Sequence, residues 1–496
     1  MCLVGIDVGS SAVKAAAYSE PGALLATATS ELTPLYPAPG QWETDPLDVW
    51  RATSKAMREV ASRDALRRDP IRALAVSASG RENFPADAQG NPLGNGLMGA
   101  DVRGAEFEAL PQGQSAPEAW SLCSGHARER MDPVFRLAWW KKYRPEIMEK
   151  ARRFFGWIDY LIFRMTGRAV MDLATASRYA VFDLASGTWN SERVRAFEIE
   201  AGFLPELLPW GAVVGPMTRE VAEEWGLPQG VIVAQGGHDV NCAAVGAGVW
   251  ESGNACLVSG SYENLVVVTD RFPTVPMLLR GLSVTPHPGR AARSVIAIHP
   301  TGSAVLNWAR KLLGVEIPEI DSFLANLRGP SPVLAVPHLS GAMAYWENGR
   351  RSCGGVLNLT LSTSAPEIVQ AFMESIAYDT RNTLALLRRE GVDLRRIRLT
   401  GGGARSAWWT QLKADVTGVP VEVASRAEPG TLGAALLAGV ATGAYRDLAE
   451  ATRVTAEGSR VFEPDAARAS LHSGRMDEYH AAIAGLLRTI WTNDSP

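Results

Sequence analysis

Cysteine is scarce in this chain, and its scarcity sets the first limits. Five occur in 496 residues: Cys2, Cys123, Cys242, Cys256 and Cys353. No two of them stand in C-x-x-C spacing, which argues against a structural zinc site and a disulfide framework and fits a reducing compartment. Long apolar runs are also lacking. The best one, Leu432–Ala444, is broken by glycines and reads as a buried helix, so no membrane span is expected. The opening M-C-L-V-G-I-D-V has no basic leader before an apolar stretch, so no signal peptide is expected either. A net charge of −4 lacks the basic excess of a nucleic-acid partner. No G-x-x-x-x-G-K-[ST] occurs, so any nucleotide is held without a P-loop. What is left is a cytoplasmic globular protein, 46% hydrophobic and 21% charged. Its length exceeds one ordinary core and predicts two domains or two duplicated halves.

The richest stretch is V-I-V-A-Q-G-G-H-D-V-N-C-A-A-V-G, residues 231–246. A buried strand, Val231–Ala234, is expected to end in a polar turn, Gln235-Gly236-Gly237. That turn delivers Asp239 to the start of a small-residue helix. The glycines would let the backbone approach a ligand, and a helix start favours negative charge. Taken alone, Asp239 also reads as a plain helix cap.

Two hairpins recur along the chain. Leu3–Val8 and Val13–Tyr18 flank Gly9-Ser10-Ser11. Backbone N–H groups, Ser10, Ser11 and Lys14 there suit a phosphate, and Asp7 at the strand end suits Mg²⁺. An ordinary Gly-Ser hairpin is the alternative. Ala255–Val258 and Leu265–Val268 flank Ser259-Gly260-Ser261-Tyr262-Glu263 in the same way. Each hairpin opens a half of about 240 residues, which predicts a duplication, 1–245 and 246–496, with a cleft between. A helix is expected from Trp42-Glu43-Thr44-Asp45-Pro46 to about Arg63. Ile71–Ser77 reads as a strand running into A-S-G-R-E-N-F. There Arg81 and Glu82 either bind polyol hydroxyls, one donating and one accepting, or form a surface ion pair. Helical pattern is expected over Pro133–Thr166, with Trp139, Trp140 and Trp157 as core or interface aromatics. It is expected again over the long stretch from Trp189 to the Val231 strand. Gly302 starts a further helix. Arg396–Thr400 is a strand leading to Gly401-Gly402-Gly403-Ala404-Arg405-Ser406 and the helix Ala407–Thr417, a turn with room for a flat ring. Val419–Ala424, the helix Thr431–Thr442 and an amphipathic tail, Phe462–Trp491, complete the pattern.

Together G-I-D-V-G-S-S-A-V-K, D-Y-L-I-F-R-M-T-G, G-G-H-D-V-N-C, S-G-S-Y-E and L-T-G-G-G-A-R-S-A-W-W-T-Q-L-K-A-D-V-T-G resemble, in order and spacing, the FGGY family of carbohydrate kinases. The resemblance implies an α/β, duplicated actin-like ATPase (ribonuclease H-like) fold of two lobes around a central cleft. Residues 1–245 would hold sugar and the first phosphate loop, and residues 246–496 would hold ATP. It implies ATP and Mg²⁺ as cofactors, a small sugar or polyol as substrate, and often a homodimer. Asp239 would be the catalytic base and Asp7 the metal ligand. Ser10, Ser11, Lys14, Gly260, Ser261, Gly302, Gly402, Gly403 and Ser406 would line the nucleotide, and Arg81, Glu82, Asp239 and His238 the sugar. Phosphoryl transfer needs such groups in any case: a base near the attacking oxygen and neutralisation of phosphate charge.

Departures from the family pattern bear on substrate. Gly99 and Val134 stand near positions where glycerol kinases place Trp and Tyr, which predicts a roomier pocket. His238, with Tyr262-Glu263, resembles the fuculose-type branch. His238 either donates to a sugar hydroxyl or supports the site from behind. Arg136 replaces a usual Lys, and Asn358 a usual Gly. The expected substrate is a ketopentose such as xylulose. Alternatives are a fuculose-type deoxyketose, erythritol or another polyol, gluconate, an autoinducer-like molecule, or a non-catalytic actin-like sugar sensor.

Overall fold

The N-terminal apolar run folds as two antiparallel strands, β1 (Cys2–Val8) and β2 (Ala12–Ser19), closed by Gly9 N–H donating to the Ala12 carbonyl at 3.0 Å. The computed structural model describes residues 2–107, 117–126, 132–289, 292–327, 329–346, 351–423, 428–456 and 458–490. Their contacts divide the chain into two units. One is Met1–Trp250, Thr285–Arg293 and Glu428–Glu457; the other is Glu251–Val284, Ser294–Ala427 and Gly458–Pro496.

In the first unit β3 (Leu24–Glu31), β4 (Ile71–Ala78), β5 (Val213–Pro216) and β6 (Ile232–His238) join β1 and β2 in a sheet of order β5-β6-β4-β1-β2-β3. The central strands β1, β4 and β6 are parallel and the flanking ones antiparallel. β1 is apolar on both faces, as a strand covered on both sides requires. β3, at the edge, alternates buried and exposed residues. One face packs Val4, Ile6, Leu74 and Val76 on the helices Pro46–Ala61 and Trp157–Thr166. The other packs Leu3, Ala73 and Ala75 on Leu432, Ala435 and Leu436 of the helix Pro429–Ala441. That last helix comes so close that a Cβ on Gly5 would collide with the Thr431 carbonyl. Asp45 caps the helix Pro46–Ala61 by accepting from Leu47 N–H at 2.9 Å.

The second unit repeats this order of orientations. β7 (Asn254–Ser259) and β8 (Glu263–Thr269) form a hairpin. β9 (Ser283–Pro286) and β10 (Arg293–His299) extend its sheet on one side, and β11 (Arg396–Thr400), β12 (Val421–Val423) and β13 (Arg460–Phe462) on the other. β7, β11 and β12 run parallel, and β13 closes antiparallel. β13-β12-β11-β7-β8 thus repeats the orientations of β5-β6-β4-β1-β2.

Two helical expectations are corrected. Over Pro133–Thr166 there are instead a helix, Pro133–Tyr143, a short turn of helix, Pro145–Met148, a strand, Arg153–Phe155, and the helix Trp157–Thr166. Pro145 interrupts the backbone ladder, and the Phe154-Phe155 pair is taken up opposite Phe84–Ala86. The stretch from Trp189 to Val231 is likewise broken into the helices Ser191–Ala196 and Arg219–Trp225 and the strands Glu206–Leu208 and β5. The tail helix is Ala466–Thr489; Trp491 and Ala424 lie outside the described residues. Among the described residues no helix is long and apolar enough to cross a membrane, and no group of three or more His, Cys, Asp or Glu side chains is placed to hold a metal ion. All five cysteines are free thiols.

Candidate active site

Strand register assembles a row of polar groups in the first unit. Lys14 on β2 lies opposite Asp7 on β1, Asp7 opposite Ser77 on β4, and Ser77 opposite Gly237 on β6. The three parallel strands finish at one edge, where an open α/β sheet presents its ligand-binding groups. The Ser77 hydroxyl donates to Asp7 Oδ1 at 2.6 Å. Burial raises the Asp7 carboxyl above its usual range, against the opposing Ser77 hydrogen bond and the Lys14 charge. Lys14 Nζ pairs with Glu428 Oε2 at 2.6 Å. Glu428 heads the helix Pro429–Ala441 with a left-handed backbone, φ 66°, rare for a residue with a side chain. Its carbonyl accepts from Leu432 N–H at 3.0 Å and Thr431 Oγ1 at 3.1 Å. Ser10 and Ser11 are exposed at the turn.

The expectation of a glycine turn after Ala234 is corrected. β6 continues through Gln235, Gly236 and Gly237 to His238, with a register shift between Ala234 and Gly237. A Cβ on Gly236 would overlap the Val76 backbone, so this glycine serves close strand packing rather than a ligand. Asp239 then opens the helix Asp239–Gly246, and its Oδ1 accepts from Val240 N–H at 2.6 Å. The cap position itself belongs to His238, which makes no side-chain cap bond. The Asp239 carboxyl is pushed up to about 7, first by desolvation, with the Asp7 and Glu82 charges adding. His238 is buried, with Nδ1 3.5 Å from Asp239 Oδ1. Desolvation, joined by the positive charges of Arg178 and Arg81, holds its imidazole well below the usual range and therefore neutral.

Glu82 is only 5% exposed, so it is no half of a surface ion pair. Ser79 Oγ donates to its Oε2 at 2.7 Å and Arg81 N–H does so at 3.2 Å. A Cβ on Gly99 would sit 3.2 Å from Glu82 Oε1, so Gly99 leaves space directly beside this carboxylate. Val134 is buried in the helix Pro133–Tyr143. Sequence reasoning missed Ser77, Ser79, Glu428 and Asp172. Asp172 accepts from Ala174 N–H at 2.9 Å and Thr175 N–H at 3.0 Å and lies against Gly237. The alternation V-S-A-S could have flagged Ser77 and Ser79 as one strand face; nothing local announced Glu428.

In the second unit Gly260 and Ser261 form the β7–β8 turn, with Gly302 and Gly403 packed on it. Ser303 N–H donates to the Gly260 carbonyl at 2.9 Å and Ala304 N–H to the Ser261 carbonyl at 3.3 Å. This docks the helix Ser303–Leu313, and Gly302 before it, on the turn. Gly403 lies against the Ser259 side chain, while a Cβ on Gly402 would meet Arg405 Nη2 at 3.5 Å. Ser406 caps the helix Ala407–Thr417 by accepting from Trp409 N–H at 3.3 Å. Beneath the turn Lys413 Nζ meets Glu263 Oε1 at 2.6 Å, both side chains fully buried. Ser259 Oγ donates to the same Glu263 oxygen at 2.6 Å, and Lys413 stacks 3.8 Å from the Trp409 ring centroid. Burial lowers the Lys413 ammonium from its usual range, against the pull of Glu263. Lys413 was not anticipated, since its partner is 150 residues away.

Comparison with known proteins agrees with these motifs. Residues 2–246 match the N-terminal domain, and residues 302–442 the C-terminal domain, of the FGGY family of carbohydrate kinases. The xylulose kinase of Escherichia coli K12 is 28% identical over 491 residues, 98% of this chain and 99% of that protein. The glycerol kinase of Symbiobacterium thermophilum is 30% identical over 470 residues, 90% of this chain and 91% of that one. The solved structure of ligand-bound xylulose kinase from Lactobacillus acidophilus covers 100% of both chains with a TM-score of 0.90 at 22% identity, a likeness of fold. With both domains matched in order, the duplicated sheets carry the actin-like ATPase fold, and the chain belongs to the FGGY family of carbohydrate kinases, phosphotransferases with an alcohol group as acceptor.

Proposed function

We propose that this protein transfers the γ-phosphoryl group of ATP to a hydroxyl of a ketopentose such as xylulose, with Asp239 as the base. The observation that carries the reading is the Asp239 carboxyl, pushed up to about 7 and half-exposed at a helix start beside neutral His238. A base whose pKa lies near the working pH is both available and strong enough to take a hydroxyl proton. Glu82 accepts from sugar hydroxyls, and Arg81 and His238 donate to them. The space that Gly99 leaves beside Glu82 favours an acceptor larger than glycerol.

Ser10, Ser11 and Lys14 serve the phosphates. Gly260, Ser261, Gly302, Gly402, Gly403 and Ser406 serve the nucleotide, with the exposed Gly402 turn suited to a flat ring. Asp7 fits Mg²⁺ by its chemistry: it is a hard oxygen donor at a strand end, held on one oxygen by Ser77 and next to the phosphate-binding turn. Bound Mg²⁺ would neutralise phosphate charge. A cytoplasmic enzyme, as a homodimer, goes with this reading; light scattering of the purified chain tests the dimer.

The test is ADP release with Mg²⁺ and ATP across ketoses, polyols and aldonates, with glycerol as control. One ketopentose should raise release well above the sugar-free rate. Activity on glycerol alone would overturn the pocket argument. A flat panel with ATP binding intact would favour a sugar sensor. Normal turnover in Asp239→Asn would sink the assignment of the base.

A further inference from the structure

Arg136 lies in the helix Pro133–Tyr143 with its side chain fully buried. The two terminal nitrogens of its guanidinium are spent on backbone, while Nε has no hydrogen-bond partner among the described residues. Nη1 donates to the carbonyls of Arg81 and, at 3.2 Å, Leu97, while Nη2 donates to those of Met98 at 2.7 Å, Gly99 at 3.1 Å and Asp101 at 3.2 Å. These carbonyls belong to two segments. One is the turn after β4 that carries Arg81 and Glu82; the other is the stretch 97–101 that brings Gly99 beside Glu82. Asp101 fixes the far end of the second segment. Its carboxylate accepts from Trp42 N–H at 2.7 Å and from Arg103 Nε and Nη2 at 2.9 and 2.6 Å. Asp132 caps the start of the helix by accepting from Val134 N–H at 2.8 Å, so the pin is carried on a rigid element.

A planar guanidinium holds several acceptors in one fixed arrangement, whereas an ammonium offers three donors on a flexible stem. A charge this deeply buried is costly to leave without acceptors, which holds the five carbonyls on Nη1 and Nη2 in place. We propose that Arg136 is a positioning residue for the sugar: it sets the separation of the Arg81–Glu82 turn from the 97–101 segment, and through it the acceptor that the pocket accommodates. The inference rests on the kinase reading above. Burial lowers the guanidinium to about 10, with Glu82 and Asp101 opposing, so it stays charged at neutral pH.

The test compares wild type with Arg136→Lys and Arg136→Met. Sugar KM, ATP KM, kcat and Tm are measured on the substrate that the ADP-release panel selects. Arg136→Lys should raise sugar KM by about tenfold or more, the scale set by losing one charged hydrogen bond, with ATP KM held within about twofold of wild type. Arg136→Met should be worse for sugar in the same direction. A lowered Tm with unchanged sugar KM, or an equal rise in both KM values, would overturn the proposal. If the variants do not fold, amide exchange on wild type decides: sugar should protect both 81–83 and 97–101, and protection of neither overturns it. A wild type that phosphorylates no panel member signals failure of the kinase reading. A wild type that turns over a sugar beside an Arg136→Lys variant with normal sugar KM signals failure of the positioning role alone.

Discussion

The two hairpins share a plan and treat their charges differently. At the first, Lys14 and Glu428 pair at 2.6 Å with side chains 33% and 37% exposed, next to a half-buried Asp7. At the second, Lys413 and Glu263 pair at the same distance with both side chains at 0%. An exposed pair contributes little to stability and can exchange partners cheaply. A dry pair is costly to break and holds its surroundings in place. The first hairpin thus leaves its charges open to solvent, and the second uses its charges to fix a turn.

The comparison breaks most visibly at the open edge of the first unit. Asp239→Asn should cut turnover by about 10²–10⁴-fold, the range for loss of a general base, while leaving the fold intact by circular dichroism. In the wild type kcat/KM should rise with pH through about 7 and then level, because the base must lose its proton. A pH-independent profile over pH 5–9 would contradict this.

At the closed hairpin the effect should fall on stability. Lys413→Met leaves Glu263 buried without its counter-charge and should cost about 3–5 kcal/mol in denaturant unfolding. The double variant Lys413→Met/Glu263→Gln keeps an acceptor for Ser259 and removes the stranded charge. It should recover most of that loss. A single variant as stable as wild type would mean that this pair fixes nothing.

Glu428→Gln should change stability by less than about 1 kcal/mol, as for other exposed pairs, yet shift ATP KM while sugar KM stays put. Glu428→Gly, which suits the left-handed backbone, separates the carboxylate from the conformation. If both variants shift ATP KM alike, the carboxylate is responsible. The smallest expected effect concerns Asp239 and stability. A folded pKa raised above the unfolded one gives stability present at low pH and lost as pH rises toward about 7. Asp239→Asn should therefore raise Tm by about 1–2 °C at pH 8 and not at pH 4, a shift of the size expected for a modest gain in a chain this long. An equal change at both pH values would refute the linkage.

Much of this was legible in the sequence because it is local. The hairpins, the strand Arg396–Thr400 and the helices Pro46–Ala61 and Ala407–Thr417 follow from periodicity and turn chemistry within a few residues. So did the placement of Asp7 at a strand end and of Asp239 at a helix start. The misses are non-local or turn on backbone contacts. Gly236 reads as a ligand-facing glycine until the Val76 backbone is seen against it. Glu428 and Lys413 look like ordinary charged residues, since their partners lie 414 and 150 positions away. Arg136 looked like a minor departure from a signature, because carbonyl acceptors leave no trace in side-chain identity.

The helix Pro429–Ala441, seated against β1 at Gly5, also carries a consequence for biosynthesis. The N-terminal unit cannot complete its core from its first 250 residues, because Leu432, Ala435 and Leu436 arrive late. At about 5–20 residues per second, roughly 10–40 s separate the emergence of Trp250 from that of Ala441. During that interval one apolar face of the sheet awaits its cover and is open to chaperones and to misassociation. Chains stalled before Glu428 should consequently be captured and degraded rather than accumulate as a folded lobe, and pulse-labelling of nascent chains would show it.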